Sequence, residues 1–282
     1  MNTTRNSFLF LLVILPLGLE AQPLLTSREV IDRMLAASNE VKTLKYRFKK
    51  TERVAGTLKT GEQSVKYQHT PRRTYVYLHY PNKGTEVLWA ETGKVLVKPT
   101  SFPYMSVSLS PYNSILRKNN HHTVYQIGFD YIRTIIGTIA RQSGDQFGEY
   151  FHLQGEVLFE NRPCYKLLID YKPFKYINYT VKGGENVTDI ARRLCVSDYM
   201  ILELNRDKID DYDDIQAGMQ ITVPTAYAKQ TVLYIDKQNF LPVVQKMYDE
   251  KGLFSQYEFL NLQLNPPIQP DEFSKDYQEY NF

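Results

Sequence analysis

The chain has 282 residues, of which 43% are hydrophobic and 23% charged, with a net charge of +3. That length holds two domains, or one domain with a large insertion, and the composition excludes a disordered chain. The charge is uneven: residues 22–178 carry 23 basic and 13 acidic side chains, residues 179–228 carry 5 and 9, and residues 229–282 carry 5 and 8. A basic body around an acidic insert points to separate units and favours an anionic partner for the body.

The first residues read as a secretory signal. Arg5 gives a positive start, Phe8 to Leu17 is an apolar run, and Leu19-Glu20-Ala21 offers a small residue before Gln22. The run is short for a membrane span, and no cysteine follows it that could carry a lipid. A signal peptide is therefore expected over 1–21, with the mature chain exported to the periplasm or cell envelope.

Thr26-Ser27-Arg28-Glu29 has the form of a capping box, and Val30, Ile31, Met34 and Leu35 follow at helical spacing. This predicts a helix over 27–39. The pattern then turns to period two. TLKYRFKKTERV, QSVKYQHT, RTYVYLHY, TEVLWAET and KVLVKPT read as strands, with turn formers in the gaps at Gly56, Gly61, Pro71, Pro81-Asn82-Lys83-Gly84 and Thr92-Gly93. Such short gaps favour an antiparallel meander. Residues 99–121 lack periodicity and read as a long loop. HTVYQIGFDYIRTIIGTIARQ then carries Ile127, Tyr131, Ile135 and Ile139 every fourth residue, with Ile132 and Ile136 beside them, an apolar helical stripe for packing on a sheet. Strands resume with EYFHLQGEVLFE and CYKLLIDYK around a turn at Asn161-Arg162-Pro163. They continue after residue 228 with TVLYIDK, LPVVQKMYD and LFSQYEFLNLQLN, with a turn at Asp249-Glu250-Lys251-Gly252. YKLLIDYK and TVLYIDK would form a hairpin if the residues between them were removed. The last residues form a polar and aromatic tail without periodicity.

Those intervening residues, from Tyr179 on, carry a pattern of their own. Tyr179-Thr180-Val181-Lys182 has the form of a strand, Gly183-Gly184-Glu185-Asn186-Val187 of a loop, Ile190-Ala191 of a helix, and Val196-Ser197, Leu202, Leu204 and Asn205 of a turn and second helix. Ile215, Gly218, Ile221, Val223 and Pro224 make Ile-x-x-Gly-x-x-Ile-x-Val-Pro. Over this whole length the stretch resembles the LysM family. The resemblance implies a βααβ unit at 179–228 that binds N-acetylglucosamine-containing glycans such as peptidoglycan. The implied groove is made by Gly184, Glu185, Asn186 and Val187 on one loop and Ile215, Gln216, Ala217, Gly218 and Met219 on the other. Glu185-Asn186 stands where the family usually has Asp-Thr, and Asp210, Asp211, Asp213 and Asp214 flank the groove.

The surrounding frame, 22–178 with 229–282, resembles bacterial lipoprotein carriers of the LolA/LolB type, and within them a secreted family of unknown function. Leu233-Tyr234-Ile235-Asp236, Leu241-Pro242, Tyr248-Asp249-Glu250-Lys251-Gly252 and Tyr257-Glu258-Phe259 carry that likeness. It implies an α+β fold: a curved antiparallel half-barrel that wraps helices and encloses an apolar cavity for lipid or another apolar ligand. Val76, Leu78, Val87, Trp89, Ile132, Ile135 and Ile136 are the expected lining.

Catalytic chemistry finds little support. Cys164 enters a strand, Cys195 lies in the LysM-like core, neither has the setting of an activated nucleophile, and both are expected as free thiols. No Gly-x-Ser-x-Gly elbow is present. Glu156 and Glu160 are an acidic pair of a kind common by chance, and adjacent His121-His122 do not share a face as metal ligands would. No cofactor or nucleic-acid motif appears. The expectation is a non-enzymatic envelope protein whose partners are peptidoglycan or a related glycan and lipid or lipoprotein. A wall-remodelling hydrolase with an unrecognised site and a purely structural protein-interaction module stay open as alternatives.

Overall fold

The structure, a computed structural model, describes residues 25–90 and 93–282. The signal-peptide reading and the expected strand end at Glu91-Thr92 lie outside the described residues. Helix α1 (Ser27–Asn39) opens on the expected capping box: the Thr26 hydroxyl accepts from the Glu29 backbone N–H at 3.2 Å, and the Glu29 carboxylate accepts from that of Thr26 at 2.8 Å. Strands β1 (Thr43–Val54), β2 (Thr57–Gln68), β3 (Arg73–Tyr80), β4 (Glu86–Ala90), β5 (Val95–Lys98) and β6 (Val107–Leu109) follow. Next come α2 (Ser114–Arg117), α3 (Asp130–Ser143), α4 (Phe147–Tyr150), β7 (Phe151–Phe159) and β8 (Arg162–Asp170). The chain continues through β9 (Tyr176–Thr180), α5 (Val187–Leu194), α6 (Asp198–Leu204), β10 (Gln220–Pro224), β11 (Gln230–Asp236), β12 (Pro242–Asp249) and β13 (Gly252–Leu264).

Among the described residues the strands form an eleven-stranded antiparallel sheet, in the order β6-β5-β4-β3-β2-β1-β13-β12-β11-β8-β7, and a separate pair, β9 with β10. The long alternating segments become neighbours in order because their links are short. β1, near the chain's start, pairs with β13, near its end, and this joins the two runs of strands. One core cluster reaches from Val76 on β3 to Phe151 on β7 and takes in α1 and α3, so the sheet curls around those helices.

β8 and β11 pair directly, Asp170 opposite Gln230 through Cys164 opposite Asp236. Residues 171–229 leave and re-enter at the end of this hairpin. Between them β9 and β10 run antiparallel, Tyr176 opposite Pro224 and Thr180 opposite Gln220, with α5 and α6 between them in sequence. This unit has a core of its own, with Val187, Ile190, Ile201, Ile221 and Val223 fully buried. Asn205 locks it. Its Nδ2 donates to the carbonyls of Ile201 (2.7 Å) and Thr222 (2.8 Å), and its Oδ1 accepts from the Thr222 N–H (2.7 Å), tying α6 to β10.

The structure departs from the expected elements in three places. Gly61 lies inside β2 rather than in a turn, opposite Lys50. The stretch read as a long loop contains β6 and α2. The helix expected from residue 122 begins only at Asp130. Gly128, at φ +94°, lies between the preceding 3-10 turn (Val124–Gln126) and α3, and a Cβ there would come within 3.1 Å of the Tyr67 ring.

Candidate functional site

The period-two rule puts alternate residues of a strand on one face. On β1 that face runs Leu44, Tyr46, Phe48, Lys50, Glu52. The first members meet the core, and the apolar series ends in an ion pair. β13 presents Tyr257 and Phe259 beside it, β12 presents Gln245 and Met247, and β3 presents Val76 and Leu78. Across from them α3 turns Tyr131, Ile132 and Ile135 inward. The two sides do not close on each other. A cavity of about 400 Å³ lies between them, its rim completed by the turn at Asn82 and by Pro99, Ser101, Ile115 and Leu116.

Five of the seven expected lining residues, Val76, Leu78, Val87, Ile132 and Ile135, border this space. Trp89 and Ile136 do not. Trp89 shares the face of Val87 but lies two residues further along β4, where Val95 and Val97 pack on it and the Tyr125 ring meets it edge-on at 4.8 Å, so its site is filled. Ile136 is fully buried in the main core, since successive residues of α3 point about 100° apart.

One wall of the cavity is polar. Lys50 Nζ donates to Glu52 Oε2 at 2.6 Å and also to Asn120 Oδ1. The Tyr257 hydroxyl donates to Glu52 Oε1 at 2.8 Å, and His122 Nε2 is hydrogen-bonded with the Tyr227 hydroxyl at 2.9 Å. Burial alone would raise the Glu52 pKa, but the Lys50 ammonium, helped by His121 and His122, outweighs it and holds the carboxyl at about 2. Burial pushes His122 down to about 3, against the pull of Glu52. The wall is thus a carboxylate, an ammonium and a neutral imidazole with paired hydroxyls. Sequence reading missed it, although the Tyr46-x-Phe48-x-Lys50-x-Glu52 alternation carries the signal. His121 serves packing instead: it stacks on Tyr199 and Phe254 at 4.3 Å each, and its Nε2 bonds the Arg53 carbonyl at 2.8 Å.

On the βααβ unit, the nine expected groove residues divide by role. Glu185 is held internally. Its carboxylate accepts from the Tyr179 hydroxyl (2.7 Å), the Lys182 N–H (3.0 Å) and Arg193 (2.6 Å), and Arg193 balances its charge. Asn186 caps α5 through the Asp189 N–H at 2.9 Å, and Val187 is fully buried. Gly184 and Gly218, both at positive φ, face open space, and Gln216 and Ala217 are exposed. Ile215 and Met219 are half-buried on that unit's core. Of the nearby acidic run, Asp214 is spent on a turn, accepting from the N–H groups of Asp210 and Asp211.

This unit is docked firmly on the frame. Tyr199 and Met200 of α6 belong to the frame's core cluster, and the Tyr199 hydroxyl accepts from the Ala55 N–H at 3.0 Å. Arg53 donates to Asp249 at 2.9 Å and to Glu203 of α6 at 3.3 Å. Arg117 lies 3.0 Å over the Tyr212 ring and donates to Thr188 at 3.0 Å. Cys164 is buried and Cys195 half-buried, both as free thiols. No helix among the described residues is long and apolar enough to cross a membrane.

A family model described as "Protein of unknown function (DUF1571)" matches residues 41–182, and the model of the LysM domain matches 179–224. No curated protein matches the chain. Among solved structures, an uncharacterized conserved protein from Thermus thermophilus is similar at 11% identity and a TM-score of 0.40, over 89% of this chain and 96% of that one. Lipoprotein LppX of Mycobacterium tuberculosis is similar at 11% identity and 0.42, over 86% and 97%. A LolA superfamily protein from Nitrosomonas europaea is similar at 12% and 0.35, over 90% and 100%.

Proposed function

The chain belongs to the DUF1571 family, and from that premise we propose that it is a non-enzymatic, exported envelope protein that holds the hydrocarbon part of a lipid or lipoprotein in the frame cavity and binds peptidoglycan, or another N-acetylglucosamine-containing glycan, through its LysM module. In this reading 22–178 and 229–282 form one carrier unit and 179–228 the glycan-binding unit, grafted at the β8–β11 hairpin.

The observation that carries the lipid half is the unfilled space between α3 and the sheet. Protein interiors are close-packed, with few voids larger than a water molecule, whereas this cavity is about 400 Å³ and is faced by Phe48, Val76, Leu78, Ile132, Ile135 and Phe259. That volume falls in the range of roughly 300–1,000 Å³ typical of small-molecule sites. The polar wall at Lys50 and Glu52 suits an amphipathic ligand better than a plain hydrocarbon. The glycan half is supported by the LysM match and by the open faces of Gly184 and Gly218, where backbone groups can approach a sugar. The internal pairing of Glu185 with Arg193 removes one source of repulsion from an anionic wall polymer.

Titration of the purified chain with a fluorescent fatty acid tests the cavity. Saturable uptake at one molecule per chain, reduced by Leu78→Trp, supports the reading; no uptake by the wild-type chain contradicts it.

A further inference from the structure

The longest acid-free stretch of the sequence runs from Thr92 to Phe129, and Lys94, Lys98 and Lys118 lie within it, while Arg117 is buried against Asp198. The same stretch holds four of the frame's most exposed apolar side chains: Phe102 is 84% exposed, Ile115 70%, Tyr104 66% and Met105 63%. A soluble surface rarely groups such residues without a partner. Their position is specific. Ile115 both borders the cavity and reaches the surface, and Pro99, Ser101 and Leu116 are on the rim. The Tyr104 N–H donates to the Ser101 carbonyl at 2.9 Å, and Lys98 Nζ donates to the Tyr104 carbonyl at 2.8 Å, so the apolar turn is anchored beside that rim. The turn carrying exposed Lys83 lies against it, with Gly84 next to the Thr100 methyl. Lys59 reaches in from the β1–β2 hairpin to Asn119 at 2.8 Å.

We propose that residues 99–118 form a membrane-docking tip, which seats the mouth of the cavity on an anionic lipid bilayer through Phe102, Tyr104, Met105 and Ile115 while the surrounding lysines meet the headgroups. This rests on the lipid reading above and adds to it the surface from which the ligand enters. Apolar and aromatic side chains with cations around them are what an interfacial site needs: the rings enter the headgroup boundary and the ammonium groups attract phosphate. A protein partner would not require so long a stretch free of carboxylates, whereas an anionic surface repels every one of them. The tip also puts cavity entrance and bilayer in register, so a chain passes between them without crossing water.

Flotation of the purified chain with phosphatidylglycerol-containing vesicles, against pure phosphatidylcholine vesicles, tests the tip. The wild-type chain is expected to float with the anionic vesicles, less so as salt is raised. Phe102→Ser with Met105→Ser is expected to lower flotation about tenfold, with unfolding temperature and uptake of free fluorescent fatty acid unchanged, since neither side chain borders the cavity. Equal flotation of the two proteins overturns the proposal. So does absence of flotation by the wild-type chain, which leaves the tip to a protein partner. Because fatty-acid uptake is read without vesicles, failure of the cavity reading shows separately.

Discussion

Arg117 of α2 donates a 2.5 Å hydrogen bond to Asp198 at the start of α6, and both side chains are buried. The pair joins the segment that rims the cavity to the LysM module. Burial raises the Asp198 pKa, opposed by the Arg117 charge, the Tyr199 N–H and the Thr188 hydroxyl. Removing one partner of such a pair leaves the other charge buried without compensation, a cost of about 3–5 kcal/mol. Arg117→Met is expected to lose stability on that scale in urea unfolding. Adding Asp198→Leu should recover part of the loss, because the uncompensated carboxylate is then gone.

Asn205 satisfies three backbone groups inside the LysM module. Asn205→Leu removes the partner of the buried Ile201 carbonyl, worth about 1–3 kcal/mol, and of the part-buried N–H and carbonyl of Thr222, which cost less. The expected outcome is selective loosening of the module, seen as faster amide hydrogen exchange in α6 and β10 than in the β1–β13 pair.

The polar wall of the cavity makes stability depend on pH, with a definite sign. His122 titrates near 3 in the fold against an ordinary 6.5, so between these values the unfolded chain binds a proton that the folded chain does not. Its contribution is present above pH 6.5 and is lost as pH falls toward 3. Glu52, held at about 2 against an ordinary 4.5, contributes stability above pH 4.5 that is lost below it. Unfolding free energy is therefore expected to fall from about pH 7 to about pH 4. In His122→Asn the slope between pH 6.5 and 4.5 should flatten, while the steeper loss below pH 4.5 remains.

On the proposed glycan-binding side, Ala217 is exposed on the second of the two expected groove loops and takes no part in the module's core. Ala217→Glu adds bulk and charge there. Sedimentation of the full chain with insoluble peptidoglycan is expected to drop severalfold, with an unchanged thermal unfolding temperature. Equal sedimentation would place any glycan contact elsewhere.

The strands were legible because most of the sheet has one buried face, which imposes alternation on TLKYRFKKTERV and its neighbours. The LysM module was legible because its core positions recur at family spacings. Residues 99–121 were not, because β6 spans only Val107–Leu109 and α2 only Ser114–Arg117, too few residues to show a period. The start of α3 was hidden by apolar residues running through Gly128, whose contact with Tyr67 is long-range. The stripe on α3 was visible, but not its division between cavity and core. Alternation places Lys50 and Glu52 on the Tyr46–Phe48 face of β1, but that this end of the face is enclosed follows only from packing against α3 and the 99–121 segment.

The most direct test of the account is native mass spectrometry of the chain purified from membranes without delipidation, beside Leu78→Trp, which projects an indole into the cavity. The account predicts that the wild-type chain carries one lipid per molecule, or takes one up when lipid is added, and that the variant carries far less. A wild-type chain that stays at its bare mass after lipid addition, or a variant that loads equally well, would contradict it.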